Sequence, residues 1–173
     1  QDLLNVFDEY KGDESGITKK LDREMKYPQS LLEGLDKKQG RDVIRLVKSR
    51  SNQSVFRKII LKLYNQSCCI TGLDIPTVNR ASHIMPWAEH PDKRLEPQNG
   101  LCLSATYDAA FDKYLISLDD DYRIIISKEI SEHYTNDSVQ EYFIKREGDK
   151  ITLPLSYRPN KDYLEDHRNR GKF

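Results

Sequence analysis

The stretch TVNRASHIMP, from Thr77 to Pro86, constrains the fold more than any other part of the sequence. Residues 77–84 have the composition of a β-strand, and Pro86 ends it because proline cannot donate to a strand ladder. His83 lies at the end of this strand, directly after Ser82. A histidine beside apolar neighbours is either a packed structural imidazole or a working base. Only partners elsewhere in the chain can distinguish the two.

The bulk composition predicts one domain that does not depend on disulfides. The chain has 173 residues, of which 37% are hydrophobic, and a chain of this length buries a sufficient core. The formal net charge is zero, so any affinity for phosphate must come from local patches. Cys68, Cys69 and Cys102 form no paired CxxC knuckles, so we expect buried thiols and no structural zinc. Without an 18-residue apolar run or a signal peptide, we expect a cytoplasmic protein with no membrane contact.

The residues before the strand predict helices with one basic face. Residues 1–40 indicate short helices and loops. In the segment from Gly40 to Ser67, Phe56, Ile59, Ile60 and Leu63 have helical spacing, and the polar positions include Arg57 and Lys58. This face is either solvated surface or a ridge that contacts phosphates.

The middle of the chain predicts the order strand, strand, loop, helix. Residues 69–71 indicate a short strand before a turn at Gly72, and residues 77–84 the second strand. The segment LCLSATYDAAFDKYL, residues 101–115, has the pattern of a helix. Residues 115–127 then predict a hairpin around an acidic turn at residues 119–121.

Two acidic residues on the predicted helix raise a question of function. Asp108 and Asp112 are four residues apart, which places both on one helix face and costs a few tenths of a kcal/mol in repulsion. They either both point into water or share a cation. Asn99 stands at the junction of loop and helix, where a side-chain amide can bond backbone groups and fix the loop.

Together these residues resemble the HNH nuclease superfamily, also called His-Me finger nucleases, which have the ββα-metal fold. The segments CCITG, ASHIMPW, PQNGLCLS and AAFDKYLIS are similar to its restriction-type branch, and the C-terminal residues 151–173 resemble the tail that often follows it. The resemblance implies an α+β fold with a helical N-terminal extension over residues 1–50 that could contact DNA or a partner. The ββα-metal core would cover residues 51–127, with a C-terminal hairpin and a helical tail, and residues 128–173 would pack on this core.

The resemblance also implies roles for the site residues. His83, near the end of the second strand, would be the general base, oriented with the help of Asn99. Asp108 and Asp112, nine and thirteen positions after the asparagine, would face the metal. Many relatives carry a metal-binding Asp or His directly before the base, whereas this chain has Ser82, a weaker ligand.

The implied function is a metal-dependent endonuclease of restriction or phage-defence type, from a prokaryote or phage. It would hydrolyse double-stranded DNA with Mg²⁺ or Mn²⁺ and leave 5′-phosphate and 3′-hydroxyl ends. Sequence specificity would come from residues 1–50, another segment or a homodimer partner. Two alternatives stay open: a toxin-like nuclease with an immunity partner, and a degenerate module that binds DNA without cutting it. Arg80, Lys93 and Arg94 flank the site as candidate phosphate contacts, with Arg57 and Lys58 on the basic face.

Overall fold

The computed structural model describes residues 52–132 and 136–173. The helical extension expected over residues 1–50 lies outside these ranges. The described chain begins in a helix, α1, over residues 52–63. Phe56, Ile59 and Ile60 are buried on one side of this helix, as their helical spacing predicts.

The centre of the fold is an antiparallel strand pair followed by a helix. Strand β1 (Asn79–His83) pairs with strand β2 (Gly100–Ser104), so that His83 lies opposite Gly100. The loop between them contains two short 3₁₀ turns, Pro91–Lys93 and Pro97–Asn99. Helix α2 (Ala105–Asp112) follows β2 directly and packs against β1. This arrangement is a ββα unit inside an α+β fold, as predicted.

The prediction of one helix over residues 101–115 was wrong at its start. Residues 100–104 form β2, and the helix runs only over Ala105–Asp112. Leu101, Cys102 and Leu103 are all buried, so this strand has apolar residues on both faces. A short continuous apolar run fits a buried strand or a helix equally well, so periodicity could not separate the two.

The prediction of a strand over residues 69–71 was also wrong. These residues form a turn, in which the Gly72 N–H donates to the Cys68 carbonyl at 2.8 Å. Gly72 has φ +72°, a left-handed conformation that favours glycine. The backbone of Cys69 still bonds to Cys102 and Thr152, but no strand forms around it. His83 therefore ends the first strand of the ββα unit and not the second.

The predicted hairpin is confirmed. Strands β3 (Ile116–Leu118) and β4 (Ile124–Ile126) are antiparallel. The acidic residue Asp119 stabilises the turn between them: its Oδ1 accepts hydrogen bonds at 2.8 Å from the backbone N–H groups of Asp121 and Arg123. Such a bond between a short carboxylate side chain and the following backbone stabilises a turn.

After the hairpin, the described residues form three α-helices: α3 (Lys128–Ser131), α4 (Asp137–Tyr142) and α5 (Lys161–Gly171). Asn160 caps α5 by accepting a hydrogen bond from the Asp162 N–H at 2.8 Å. Helix α5 packs on β3, and Leu164 and His167 are its buried residues. No helix within the described residues is long and apolar enough to cross a bilayer.

One hydrophobic core connects α1, β2, α2, the hairpin and α5. It includes Phe56, Leu101, Phe111, Ile116 and Leu164. All three cysteines are buried and free, and burial raises the pKa of the Cys102 thiol to about 12. The Cys102 thiol therefore stays protonated, and all three buried cysteines act as small apolar side chains.

Candidate active site

An open cleft of about 670 Å³ lies where β1, α1 and α2 meet. His83, Ser82, Asp108 and Asp112 all line it, so the fold brings together the histidine predicted to be the base and the two carboxylates that the sequence singled out. Trp87 and Arg80 also face this cleft. Asn99 is buried behind it, at the end of the loop that connects β1 to β2.

His83 is held by a hydrogen bond and by aromatic contacts. Its Nε2–H donates to the Arg94 carbonyl at 3.0 Å, because a carbonyl can only accept. Phe56 stacks on the imidazole with 3.6 Å between ring centroids, and Trp87 meets it edge-on at 5.2 Å. No described residue bonds to Nδ1. The Arg94 carbonyl therefore fixes the neutral tautomer whose Nδ1 can accept a proton.

The environment of His83 keeps its imidazole neutral. Burial lowers the pKa of His83 to about 4, the Arg94 carbonyl bond opposes this shift, and the charge of Arg94 adds to it. At pH 7 this group therefore carries no proton on the acceptor nitrogen and is ready to take one.

Asn99 fixes the loop that carries Arg94. Its Oδ1 accepts a hydrogen bond from the Met85 N–H at 2.7 Å, and its Nδ2 donates to the Lys93 carbonyl at 3.0 Å. The Asn99 backbone carbonyl also accepts from the Ile84 N–H at 3.0 Å. Asn99 thus joins both ends of the loop, and it acts on His83 through the backbone rather than by direct contact.

The two carboxylates on α2 have raised pKa values. For Asp108 the main cause is burial, which the nearby Ser82 hydroxyl and the charge of Arg80 partly oppose. For Asp112, which is more exposed, burial is again the largest cause and the charge of Asp108 comes next. Each carboxylate is therefore destabilised in its ionised form, and a cation between them would relieve this.

The residues at this site fit a hard divalent cation. Ser82 is 3% exposed, and its Oγ has no hydrogen-bond partner of ordinary geometry among the described residues, although it lies near Asp108. A buried hydroxyl without a partner is costly, so a ligand or water is expected there. Residues 52–132 and 136–173 contain no group of three or more His, Cys, Asp or Glu placed to hold a metal. Two carboxylates suffice for Mg²⁺, which usually keeps several waters and also binds substrate phosphates.

The five predicted cationic contacts occupy different environments. Arg80 is exposed in the cleft, and Lys58 is exposed on α1. Arg57 donates to the carbonyls of Asn79 and Pro76, both at 2.6 Å, so its guanidinium holds the start of β1. The remaining two, Lys93 and Arg94, are partly buried and belong to the loop that Asn99 fixes.

Sequence reasoning missed several residues that shape the site. Phe56 stacks on His83 but was assigned only to the apolar stripe of α1. The Arg94 backbone carbonyl gives no signal in a sequence, because every residue has one. His167 of α5 donates its Nε2–H to the Phe111 carbonyl at 3.1 Å, near the end of α2.

Comparisons with known proteins find one matching family model and a similar solved structure. A family model described as HNH endonuclease matches residues 68–119, which contain β1, β2, α2 and the four site residues. Residues 68–119 are an HNH endonuclease domain. No curated protein matches the chain in sequence. Among solved structures, a modification-dependent restriction endonuclease, TagI, aligns with a TM-score of 0.48 and 16% identity over 64% of this chain. The aligned part is 35% of the TagI chain, so this chain corresponds to about a third of that protein.

The HNH match begins at Cys68 and ends at Asp119. Helix α1, which supplies Phe56, precedes it, and α5 follows it. Two elements that contact the site or its loop thus lie outside the matched segment.

Proposed function

We propose that this chain is a metal-dependent endonuclease that hydrolyses phosphodiester bonds in double-stranded DNA. The observation that carries the proposal is the arrangement of His83. Its Nε2 is bound to the Arg94 carbonyl, its Nδ1 has no partner among the described residues, and it lines one cleft with Asp108 and Asp112. A neutral base beside a pair of carboxylates suits hydrolysis of a phosphodiester.

His83 Nδ1 takes a proton from a water molecule as that water attacks phosphorus. The bond between phosphorus and the 3′ oxygen breaks, and a proton from solvent completes the 3′-hydroxyl. The products are 5′-phosphate and 3′-hydroxyl ends. The imidazolium that forms gains stability from its bond to the Arg94 carbonyl, because a charged donor makes a stronger hydrogen bond than a neutral one.

Asp108 and Asp112 would hold one Mg²⁺ or Mn²⁺ ion. Because Ser82 Oγ lies near Asp108, it would bind the ion or a water molecule on the ion. When bound, such an ion stabilises negative charge on the phosphate and on the leaving oxygen. Arg80 and Lys58 are exposed and suited to contact neighbouring phosphates. Arg57, Lys93 and Arg94 would act mainly by holding β1 and the loop.

We place this activity in the cytoplasm, in restriction or defence against phage. The neutral total charge supports a short footprint on DNA rather than long tracking along it. Phosphate contacts fix the position of a protein on DNA but do not read its sequence. Residues 1–50 or a second copy of the chain would therefore supply the specificity.

The test is cleavage of supercoiled plasmid with Mg²⁺, Mn²⁺ or EDTA. We expect nicked or linear product that EDTA abolishes, and a loss of about 10²–10⁴-fold in His83→Ala, since general-base catalysis has that magnitude. Equal cleavage by His83→Ala would show that another group is the base. DNA binding without cleavage, in any metal, would instead indicate a degenerate binding module, and Ser82 is the feature that favours that second candidate.

A further inference from the structure

The base depends on a loop rather than on a neighbouring side chain. We call residues 84–99 the histidine loop, because its Arg94 carbonyl accepts the hydrogen bond from His83 Nε2 at 3.0 Å. If this carbonyl moves away, the imidazole is free to carry its proton on Nδ1 instead. A neutral imidazole has one donor nitrogen and one acceptor, so this tautomer would lose its acceptor on the catalytic side. The position of the histidine loop therefore determines whether His83 can act as a base.

Helix α5 contacts the histidine loop on both sides of Arg94. Tyr163 Oη donates to Glu96 Oε2 at 2.8 Å, two residues after Arg94. Arg170 Nη1 donates to Glu89 Oε2 at 2.7 Å, five residues before it. The ammonium of Lys93 also lies 5.3 Å from the Tyr163 ring centroid. These contacts join residues more than 60 positions apart in the chain.

The other side of α5 is fixed to the core. Arg168 donates to the Leu118 carbonyl and to Asp120, both at 2.7 Å. His167 is bonded through both ring nitrogens, to Ser117 at 2.9 Å and to the Phe111 carbonyl at 3.1 Å. Helix α5 is thus attached to β3 and to the end of α2, and from there it reaches the histidine loop.

We propose that α5 is a positioning element for the base, and that Tyr163 and Arg170 are positioning residues that hold the Arg94 carbonyl on His83. This inference rests on the proposed function, because it assigns the two residues to the same reaction. It also explains why the loop needs support from outside. Asn99 bonds to the backbone of Ile84, Met85 and Lys93. Tyr163 and Arg170 bond instead to the side chains of Glu96 and Glu89.

A purely structural role predicts a different result. Largely exposed ion pairs such as Arg170–Glu89 contribute little to stability, because water screens them. If α5 only stabilised the fold, removing these contacts would lower stability slightly and leave the rate of the folded enzyme unchanged. If α5 positions the loop, the rate falls while the protein stays folded and binds DNA.

The test compares two double variants. Tyr163→Phe with Arg170→Gln removes one tyrosine hydroxyl and one guanidinium that contact the histidine loop. Tyr122→Phe with Arg168→Gln is the matched control, because it removes the same groups from contacts with Pro159, Leu118 and Asp120. These control contacts link α5 and the preceding Pro159 to the hairpin, and they do not touch residues 84–99.

The first readout is the single-turnover cleavage rate as a function of protein concentration. We expect the loop variant to lose about ten- to a hundredfold in maximal rate, the effect of a misplaced catalytic group, with half-saturation unchanged. The control variant should keep the wild-type rate, because buried Leu164 and His167 still attach α5 to the core. Two variants of Glu96 test the contact directly. Glu96→Ala removes the oxygen that accepts from Tyr163 and should lower the rate, whereas Glu96→Gln retains a side-chain oxygen and should keep most of the rate.

The second readout does not need cleavage. The chain has four histidines, so ring ¹⁵N spectra can be assigned with His83→Ala. We expect wild type and control to show His83 with its proton on Nε2, and the loop variant to show a mixture of tautomers. His167, bonded at both nitrogens, is an internal reference. An unchanged tautomer and rate in the loop variant would overturn the inference. If wild type fails to cleave DNA, the proposed function is wrong, and the tautomer comparison still decides whether α5 positions His83.

Discussion

At His83, burial and hydrogen bonding act on the pKa in opposite directions. Burial dominates and lowers the pKa to about 4, while the Arg94 carbonyl favours the protonated ring. A low pKa keeps the base free of its proton at neutral pH, but it also weakens the driving force for taking one. The position of the Arg94 carbonyl offsets part of this cost when the imidazolium forms.

The acid limb of kcat/KM should therefore lie well below the ordinary histidine pKa of about 6.5. As the pH is lowered through about 6.5, we expect kcat/KM to stay constant. It should fall only as the pH approaches 4, where His83 becomes protonated in the free enzyme. Trp87→Ala should expose His83 to water, raise its pKa and move the limb to higher pH. A limb centred at or above pH 6.5 in the wild type would contradict the buried, neutral base.

Asp108 and Asp112 should make the metal-free protein less stable and the metal-bound protein more stable. Their pKa values are raised in the folded state, so above the unfolded pKa each ionised carboxylate opposes folding. We expect Asp108→Asn or Asp112→Asn to raise the unfolding free energy at pH 7 by about 0.2–0.5 kcal/mol without metal. Denaturant titration measures this directly.

The same titration with Mn²⁺ tests the metal. The ion should stabilise wild type increasingly as its concentration rises and stabilise neither variant, because only a folded site binds it. Asp121→Asn is the control, since this exposed turn residue should leave the metal response unchanged. Equal stabilisation of both site variants by Mn²⁺ would place the ion elsewhere.

The sequence was informative about the candidate site residues that have distinctive side chains. His83, Asp108 and Asp112 were predicted together and line one cleft. The partner of His83 could not be predicted, because it is a backbone carbonyl 11 residues away, and its identity depends on the path of the loop. The same limit applies to Phe56, whose apolar pattern indicates only that it is buried.

At the scale of elements, the predictions depended on how clearly a pattern excludes its alternatives. The hairpin was predicted because an acidic turn separates two apolar runs. The run Leu101–Leu103 was assigned to the helix because three consecutive apolar residues fit either structure. Its partner, β1, decides the outcome, and pairing between segments about 20 residues apart is not visible in local sequence.

Gly100 connects the packing of these elements to His83. A Cβ atom at this position would lie 2.3 Å from Ile60 Cδ1 and 2.8 Å from Phe56 Cζ, and Phe56 stacks on His83. We expect Gly100→Ala to destabilise the fold by about 1–3 kcal/mol through overpacking, and to lower the cleavage rate by displacing Phe56. Chemical denaturation and single-turnover cleavage measure the two effects.

Gly72→Ala is the matched control. A Cβ atom at this position would meet nothing within 4 Å, so the cost comes from the left-handed backbone, φ +72°, and should be about 1–2 kcal/mol. This variant should lose similar stability but keep the wild-type rate. If both variants lose rate, the rate loss in Gly100→Ala comes from lower stability and not from displacement of Phe56.

At the scale of the whole molecule, a net charge of zero means that DNA affinity depends on where the charges lie. Acidic side chains cluster in the hairpin turn at residues 119–121, while a groove on α1 is lined by Arg57, Lys58 and Lys62. Arg57 lines both this groove and the active-site cleft. DNA that enters the cleft would thus have a basic surface beside it, and the acidic turn would contribute no attraction.

Lys58 is the best single test of this surface, because it is exposed and its removal leaves the Arg57 contacts with β1 intact. We expect Lys58→Ala to reduce the slope of log K for DNA binding against log salt by about 1, the effect of losing one phosphate contact. Lys150→Ala removes another exposed lysine, beside the hairpin, and should leave the slope unchanged. Equal slopes for wild type and Lys58→Ala would show that the basic face of α1 is solvated surface. DNA would then contact the protein through the cleft alone.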